Sequence, residues 1–231
     1  MTVLSVSECG VAWESACPAE SLRMGEALGR LLQPGDFVAL FGDLGSGKTL
    51  LVRGIAAGLG CAAEEVHSPS FTLVNEYPSR GSLSSDRATA GCLLVHIDLY
   101  RIRSEDEVSG IGWDEYVGPR HVVLVEWAER ALGCLPRDHL RVRLETRGAE
   151  RRRLSAQAMG PRSGRLLRRW VGELGVGLEV DEIELGESSQ SVPKNSLSAG
   201  RPDSQASLKR SGHDDHSDFA RDGERGLRGG S

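Results

Sequence analysis

Apolar positions along this chain switch between a helical spacing and short unbroken runs. Over residues 21–32 (SLRMGEALGRLL), Leu22, Met24, Leu28, Leu31 and Leu32 recur near helical spacing until Pro34-Gly35 stops them, which predicts a helix. The run Phe37–Phe41 (FVALF) predicts a buried strand, and Lys48–Leu59 (KTLLVRGIAAGL) predicts a second helix directly after it. Further strands are expected at residues 71–77 (FTLVNEY), 92–97 (CLLVHI), 122–125 (VVLV) and 140–144 (LRVRL). One more is expected at 151–158 (RRRLSAQA), with a closing helix at 163–174 (SGRLLRRWVGEL). Several neighbouring strands have no connection long enough for a helical crossover, so some must pair antiparallel. The pattern predicts an α/β fold: a mixed parallel/antiparallel sheet flanked by helices.

Two stretches lack any such period. Residues 78–90 (PSRGSLSSDRATA) separate two apolar runs and predict a long surface insertion. From residue 186 onward the chain is Ser, Gly, Asp and Arg with almost no apolar side chain. Such a segment cannot bury enough surface to offset its chain entropy, so 186–231 is expected to be a disordered tail and residues 1–180 a single domain. A hydrophobic fraction of 39% is consistent with one core plus an unfolded part.

Charge changes the picture at one place. The net charge of −5 argues against a protein that coats nucleic acid, so any RNA connection is expected to run through partners. Before Lys194, however, the chain contains a single lysine, Lys48; every other cation in that span is arginine. Lys48 lies within Gly42-Asp43-Leu44-Gly45-Ser46-Gly47-Lys48-Thr49, a complete G-x-x-x-x-G-K-[ST] loop between a predicted strand and a predicted helix. Glycines allow close backbone approach, inward amides and the helix N-terminus favour an anion, and a compact ammonium fits between phosphate oxygens where a planar guanidinium does not. The fold class is thereby narrowed to P-loop NTPase-like, with the Thr49 hydroxyl as a magnesium ligand.

Such a loop needs an acidic partner at the end of a nearby strand. Two residues qualify: Asp98 after CLLVHI and Glu126 after VVLV, each a carboxylate emerging from an apolar run that is costly to bury without a metal or another partner. His96 shares a strand face with Asp98 by the two-residue alternation, with Tyr100 and Arg101 following. Ser68-Pro69-Ser70-Phe71-Thr72 follows the loop's helix, where many nucleotide hydrolases place a segment that senses the γ-phosphate. Trp127, beside Glu126, is a candidate for stacking on a base or a partner. The five cysteines, Cys9, Cys17, Cys61, Cys92 and Cys134, form no C-x-x-C pair and suggest neither a disulfide framework nor a zinc site. No apolar run approaches the roughly 20 residues that span a bilayer, and the amino terminus has no basic segment leading into an apolar one, so a cytoplasmic protein is expected.

Taken in order, GDLGSGKT, SPSFTLV, HIDLYR, GWDEYV and VEWAER resemble the bacterial TsaE (YjeE) family over residues 20–170. That resemblance implies an ATPase of tRNA threonylcarbamoyladenosine (t6A) biosynthesis that works with TsaD and TsaB, supports turnover of their complex and meets tRNA only through it. It implies ATP and Mg²⁺ as cofactors, Gly42 to Thr49 as the phosphate loop, and Lys48 and Asp98 as the hydrolytic pair. Thr49 and Glu126 become the metal ligands and Trp127 part of the nucleotide site. Ser70 stands where the family often has threonine, and the 78–90 insertion and the tail lie outside the family pattern. Two other functions share the loop: a small-molecule kinase, with Arg151, Arg152, Arg153, Arg162, Arg165, Arg168 and Arg169 as a phosphate-clamping lid, and a nucleotide-regulated binding module.

Overall fold

The computed structural model describes residues 1–7, 10–79 and 92–175. Most of the 78–90 insertion and all of the tail lie outside them.

Eight strands form one sheet in the order β1-β2-β8-β7-β3-β6-β5-β4. They are β1 (Thr2–Ser7), β2 (Gly10–Ser15), β3 (Phe37–Phe41), β4 (Val74–Pro78), β5 (Leu93–Asp98), β6 (His121–Glu126), β7 (Leu140–Thr146) and β8 (Arg152–Ala158). The four middle strands, β7, β3, β6 and β5, are parallel to one another; β4 adds antiparallel at one edge, and β8, β2 and β1 add antiparallel at the other. The mixed sheet expected from connection lengths is therefore present.

The central strands are buried on both faces because each face meets a different core. On β6, Val122 and Leu124 join one cluster while Val123 and Val125 join the other; on β3, Val38 and Leu40 part in the same way from Phe37, Ala39 and Phe41. The first cluster is covered by the helices α1 (Pro18–Gly29), α2 (Lys48–Leu59) and α4 (Pro161–Glu173). Met24 and Leu28 come from α1, Leu51 and Ile55 from α2, and Leu166 and Trp170 from α4. The second face is closed by short 3-10 segments (Glu105–Ile111, Ala128–Cys134) and the single turn α3 (Trp113–Tyr116), which contribute Val108, Trp113, Ala128 and Ala131. None of these short pieces was legible in the hydrophobic period, because one turn is too brief to show it.

Helices α1 and α2 touch through their backbones. A Cβ at Gly25 or Gly29 would meet the Leu51 or Ile55 carbonyl oxygen, and one at Gly54 or Gly58 would meet that of Leu22 or Glu26. Two reciprocal Gly-x-x-x-Gly pairs thus seat α2, the helix that carries the loop lysine, firmly on its neighbour. Trp170 ties the third helix in: its indole N–H donates to the Met24 carbonyl at 2.9 Å and its ring lies 4.9 Å from that of Trp13 on β2.

The structure corrects several boundaries. Helix α1 begins at Pro18, whose fixed φ suits a first helical position, rather than at residue 21. The strand expected from 71 starts only at Val74, because Leu73 is left-handed (φ 67°) and its N–H turns back to the Pro69 carbonyl at 2.6 Å. Pro78 ends that strand instead of opening the insertion, as an edge position permits a residue without an N–H. The hairpin β1–β2 was not anticipated; its short runs show no strong period of their own, and only in the fold do Val11 and Trp13 of β2 join the core. Asp98 and Glu126 are the last residues of β5 and β6 rather than the first beyond them.

Candidate functional site

The carboxyl ends of β3, β6 and β5 converge on one cleft of about 540 Å³, lined among others by Gly47, Lys48, Thr49, Asp98, Glu126 and Trp127. This is the edge at which open parallel sheets bind ligands. Parallel pairing sets Leu40 beside Glu126 and Asp98 beside Glu126, so the loop after β3 and both strand-end acids arrive at one level. The volume suits a nucleotide-sized ligand.

Within the loop, Gly47 is left-handed (φ 102°), a conformation that glycine adopts freely and that swings the chain directly into α2. Leu44, Gly45, Gly47, Lys48 and Thr49 line the cleft. Gly42 and Asp43 lie behind them, and their carbonyls accept hydrogen bonds from Lys48 Nζ at 2.6 and 3.0 Å. Ser46 is buried, and its Oγ has no hydrogen-bond partner among the described residues. Lys48 is itself only 4% exposed, and its ammonium stands 4.0 Å from the centroid of the Trp127 ring. Burial pushes the Lys48 ammonium below its ordinary value, opposed by the carboxylates of Glu126, Glu129, Asp98 and Asp43. Trp127 reaches this position because it is left-handed (φ 58°), turning the chain sharply at the end of β6.

The two acids have different partners. Glu126 Oε1 accepts from the Thr49 hydroxyl at 2.8 Å and lies 2.9 Å from His96 Nε2. Asp98 Oδ2 accepts from the hydroxyls of Ser68 and Ser70 at 2.6 and 3.0 Å, and its Oδ1 accepts from the Tyr100 N–H at 2.9 Å. His96 therefore pairs across the sheet with Glu126, not with the neighbouring Asp98 that drew attention to it. Ser68 and Ser70 do gather at the site, whereas the Thr72 hydroxyl turns away to Asn75 Oδ1. Phe71 stands 84% exposed at the cleft mouth under the Arg101 guanidinium, 4.1 Å from it.

Hard oxygen donors at a phosphate loop are the set that Mg²⁺ prefers, and it commonly takes one or two protein oxygens and completes its shell with phosphate and water. Thr49 and Glu126, in direct contact, fit that requirement. No group of three His, Cys, Asp or Glu among the described residues would hold a metal unaided.

One contributor was misread in the sequence. Arg152, on β8, donates from Nε to the Ser46 carbonyl at 3.0 Å and from a terminal nitrogen to the Gly45 carbonyl at 3.3 Å, clasping the outer side of the loop. As one of three consecutive arginines it had no signal to separate it from a solvated charge run. Two other arginines expected in a phosphate-clamping lid bind elsewhere. Arg162 binds Asp36 Oδ1 at 2.6 Å, before the start of β3 and so roughly 16 Å of strand from the loop. Arg151 lies 3.7 Å from Glu14. Among the described residues no helix is long and apolar enough to cross a membrane.

The chain is similar to known proteins. The family model described as "Threonylcarbamoyl adenosine biosynthesis protein TsaE" matches residues 15–154. A protein of Bacillus subtilis named tRNA threonylcarbamoyladenosine biosynthesis protein TsaE is 36% identical over 150 residues, covering 65% of this chain and 87% of that protein. Proteins of the same name from Treponema pallidum and Streptomyces coelicolor are 39% and 38% identical, over 51% and 53% of this chain and 78% and 76% of theirs. The crystal structure of Bacillus subtilis YdiB superposes with a TM-score of 0.55 at 28% identity, over 74% of this chain and 97% of that one.

Proposed function

Because this chain belongs to the TsaE family of threonylcarbamoyl adenosine biosynthesis proteins, we propose that it is a Mg²⁺-dependent ATPase of t6A formation. It acts in the cytoplasm with TsaD and TsaB to support turnover of their complex and meets tRNA only through it. The observation that carries this reading is the direct contact of the Thr49 hydroxyl with Glu126 at 2.8 Å beside a complete phosphate loop.

The geometry supports the following division of labour. The loop from Gly42 to Thr49 holds the phosphates through its amides and the N-terminus of α2. Lys48, free to exchange the carbonyls of Gly42 and Asp43 for β- and γ-phosphate oxygens, supplies the positive charge. Thr49 and Glu126 hold the metal, whose chemistry is to neutralise charge that develops on the phosphate oxygens. Asp98 assists hydrolysis from the γ-phosphate side, with Ser68 and Ser70 as the segment it holds in register. Trp127 forms the wall against which Lys48 is packed.

The test is phosphate release from labelled ATP, with Mg²⁺ or with EDTA, by the chain alone and after addition of TsaD with TsaB. Turnover should require Mg²⁺ and rise with both partners. Transfer of the label to a metabolite would replace this reading with a kinase, and slow turnover that ignores the partners would replace it with a nucleotide-regulated binding module.

A further inference from the structure

His96 is wholly buried on β5, yet one of its nitrogens, Nδ1, has no hydrogen-bond partner among the described residues. Leucine there would fill space without the penalty of burying a polar group. The polar contact the imidazole does make is with Glu126, 2.9 Å from Nε2 to Oε1. A carboxylate oxygen accepts, so Nε2 carries the hydrogen of this contact.

The pairing is dictated by the sheet. His96 lies opposite Leu124 and Asp98 opposite Glu126, so His96 is the diagonal neighbour of Glu126 across two parallel strands. The same Oε1 also takes the Thr49 hydroxyl. One oxygen of the carboxylate is thus held from two directions, by a strand and by the first turn of α2, and the side chain is fixed in a single orientation. Such outer partners orient a ligating carboxylate and affect metal affinity about 10- to 100-fold.

We propose that His96 is a positioning residue that presents the Glu126 carboxylate to the divalent metal accompanying the nucleotide. The inference rests on the reading of Thr49 and Glu126 as the metal ligands.

The experiment measures the affinity for ADP and for a non-hydrolysable ATP analogue by calorimetry, in Mg²⁺ and in EDTA, so that the ratio isolates the metal's share. In His96→Leu that ratio should fall about 10- to 100-fold while the affinity in EDTA stays at the wild-type value. His96→Gln, whose longer amide can donate toward Glu126, should recover most of it; His96→Asn, whose amide falls short, should not. In a Glu126→Ala background, His96→Asn should change nothing further. A wild-type ratio in both His96→Leu and His96→Asn overturns the proposal, and so does an equal loss of affinity in EDTA, which would mark a purely structural histidine. Should His96→Leu not fold, His96→Gln and His96→Asn decide by the same ratio. If the wild-type chain shows no metal effect, the ligand reading of Thr49 and Glu126 falls and takes this inference with it.

Discussion

The centre of the sheet and its β7–β8 side solve the same packing problem in opposite ways. Strands β3, β5 and β6 are buried nearly end to end, whereas β7 and β8 alternate, with Leu140, Val142, Leu144, Leu154 and Ala156 on the single covered face. On the other face of β7, Arg141 and Arg143 lie over the Phe41 ring at 5.0 and 5.5 Å. A strand covered on both sides has no solvent to offer a charge. When such strands end in acids, those carboxylates must find donors, and here they find Thr49 and His96, or Ser68 and Ser70. The flank leaves its charges half-buried or exposed and returns one of them, Arg152, to the loop.

Substitutions can break or sharpen this contrast. Leu124→Ala, in the doubly covered centre, should lower unfolding free energy by about 2–5 kcal/mol and weaken nucleotide binding as well, since Glu126 shares its strand. Leu154→Ala on the flank should lie at the low end of that range and leave nucleotide affinity at the wild-type value; denaturant melts with paired titrations check both. Glu126→Gln should reduce Mg²⁺-dependent ATP turnover on the order of 10²-fold, read as phosphate release, and wild-type turnover would remove Glu126 from the site.

Farther from the cleft, Asp138 accepts from the N–H groups of Arg162 and Ser163 at 2.7 and 2.9 Å and so caps α4 from a distant loop. Burial tends to raise its carboxyl, but the hydrogen bonds from Ser163 and Arg162 prevail and hold it below the usual value. A lowered folded-state value means stability that is present above the unfolded value of about 3.9 and is lost as pH falls through the folded one. Asp138→Asn should therefore cost about 1 kcal/mol at neutral pH, with the difference from wild type shrinking below about pH 4; melts across pH would show it. The smallest effect is expected from Arg152→Ala. Its loop contacts are partly exposed, so nucleotide affinity should fall only a few-fold, about 0.5–1 kcal/mol, with melting little changed.

Legibility followed the physics of each region. The strand-loop-helix unit around Lys48 could be read directly because its function requires a contiguous run of backbone with fixed glycines. The strand-end acids Asp98 and Glu126 stood out because a charge ending an apolar run is conspicuous. Their partners did not: Ser68 lies 30 residues from Asp98 and reaches it from the loop ahead of β4, and His96 lies the same distance from Glu126 and meets it through the register of β5 and β6. Cys61 is buried in the core. Burial pushes its thiol up to about 12, which keeps it protonated and unreactive near neutral pH.

By itself the sequence determined the phosphate loop, the mixed sheet and the family resemblance, since all three rest on local order and spacing. Only the tertiary structure decided that His96 serves Glu126, that Asp98 holds the two serines, that Arg152 grips the loop and that Arg151 and Arg162 turn to Glu14 and Asp36. Those pairings join residues far apart in the chain, and which partner each polar group finds depends on strand order and register, quantities that no local pattern of side chains encodes.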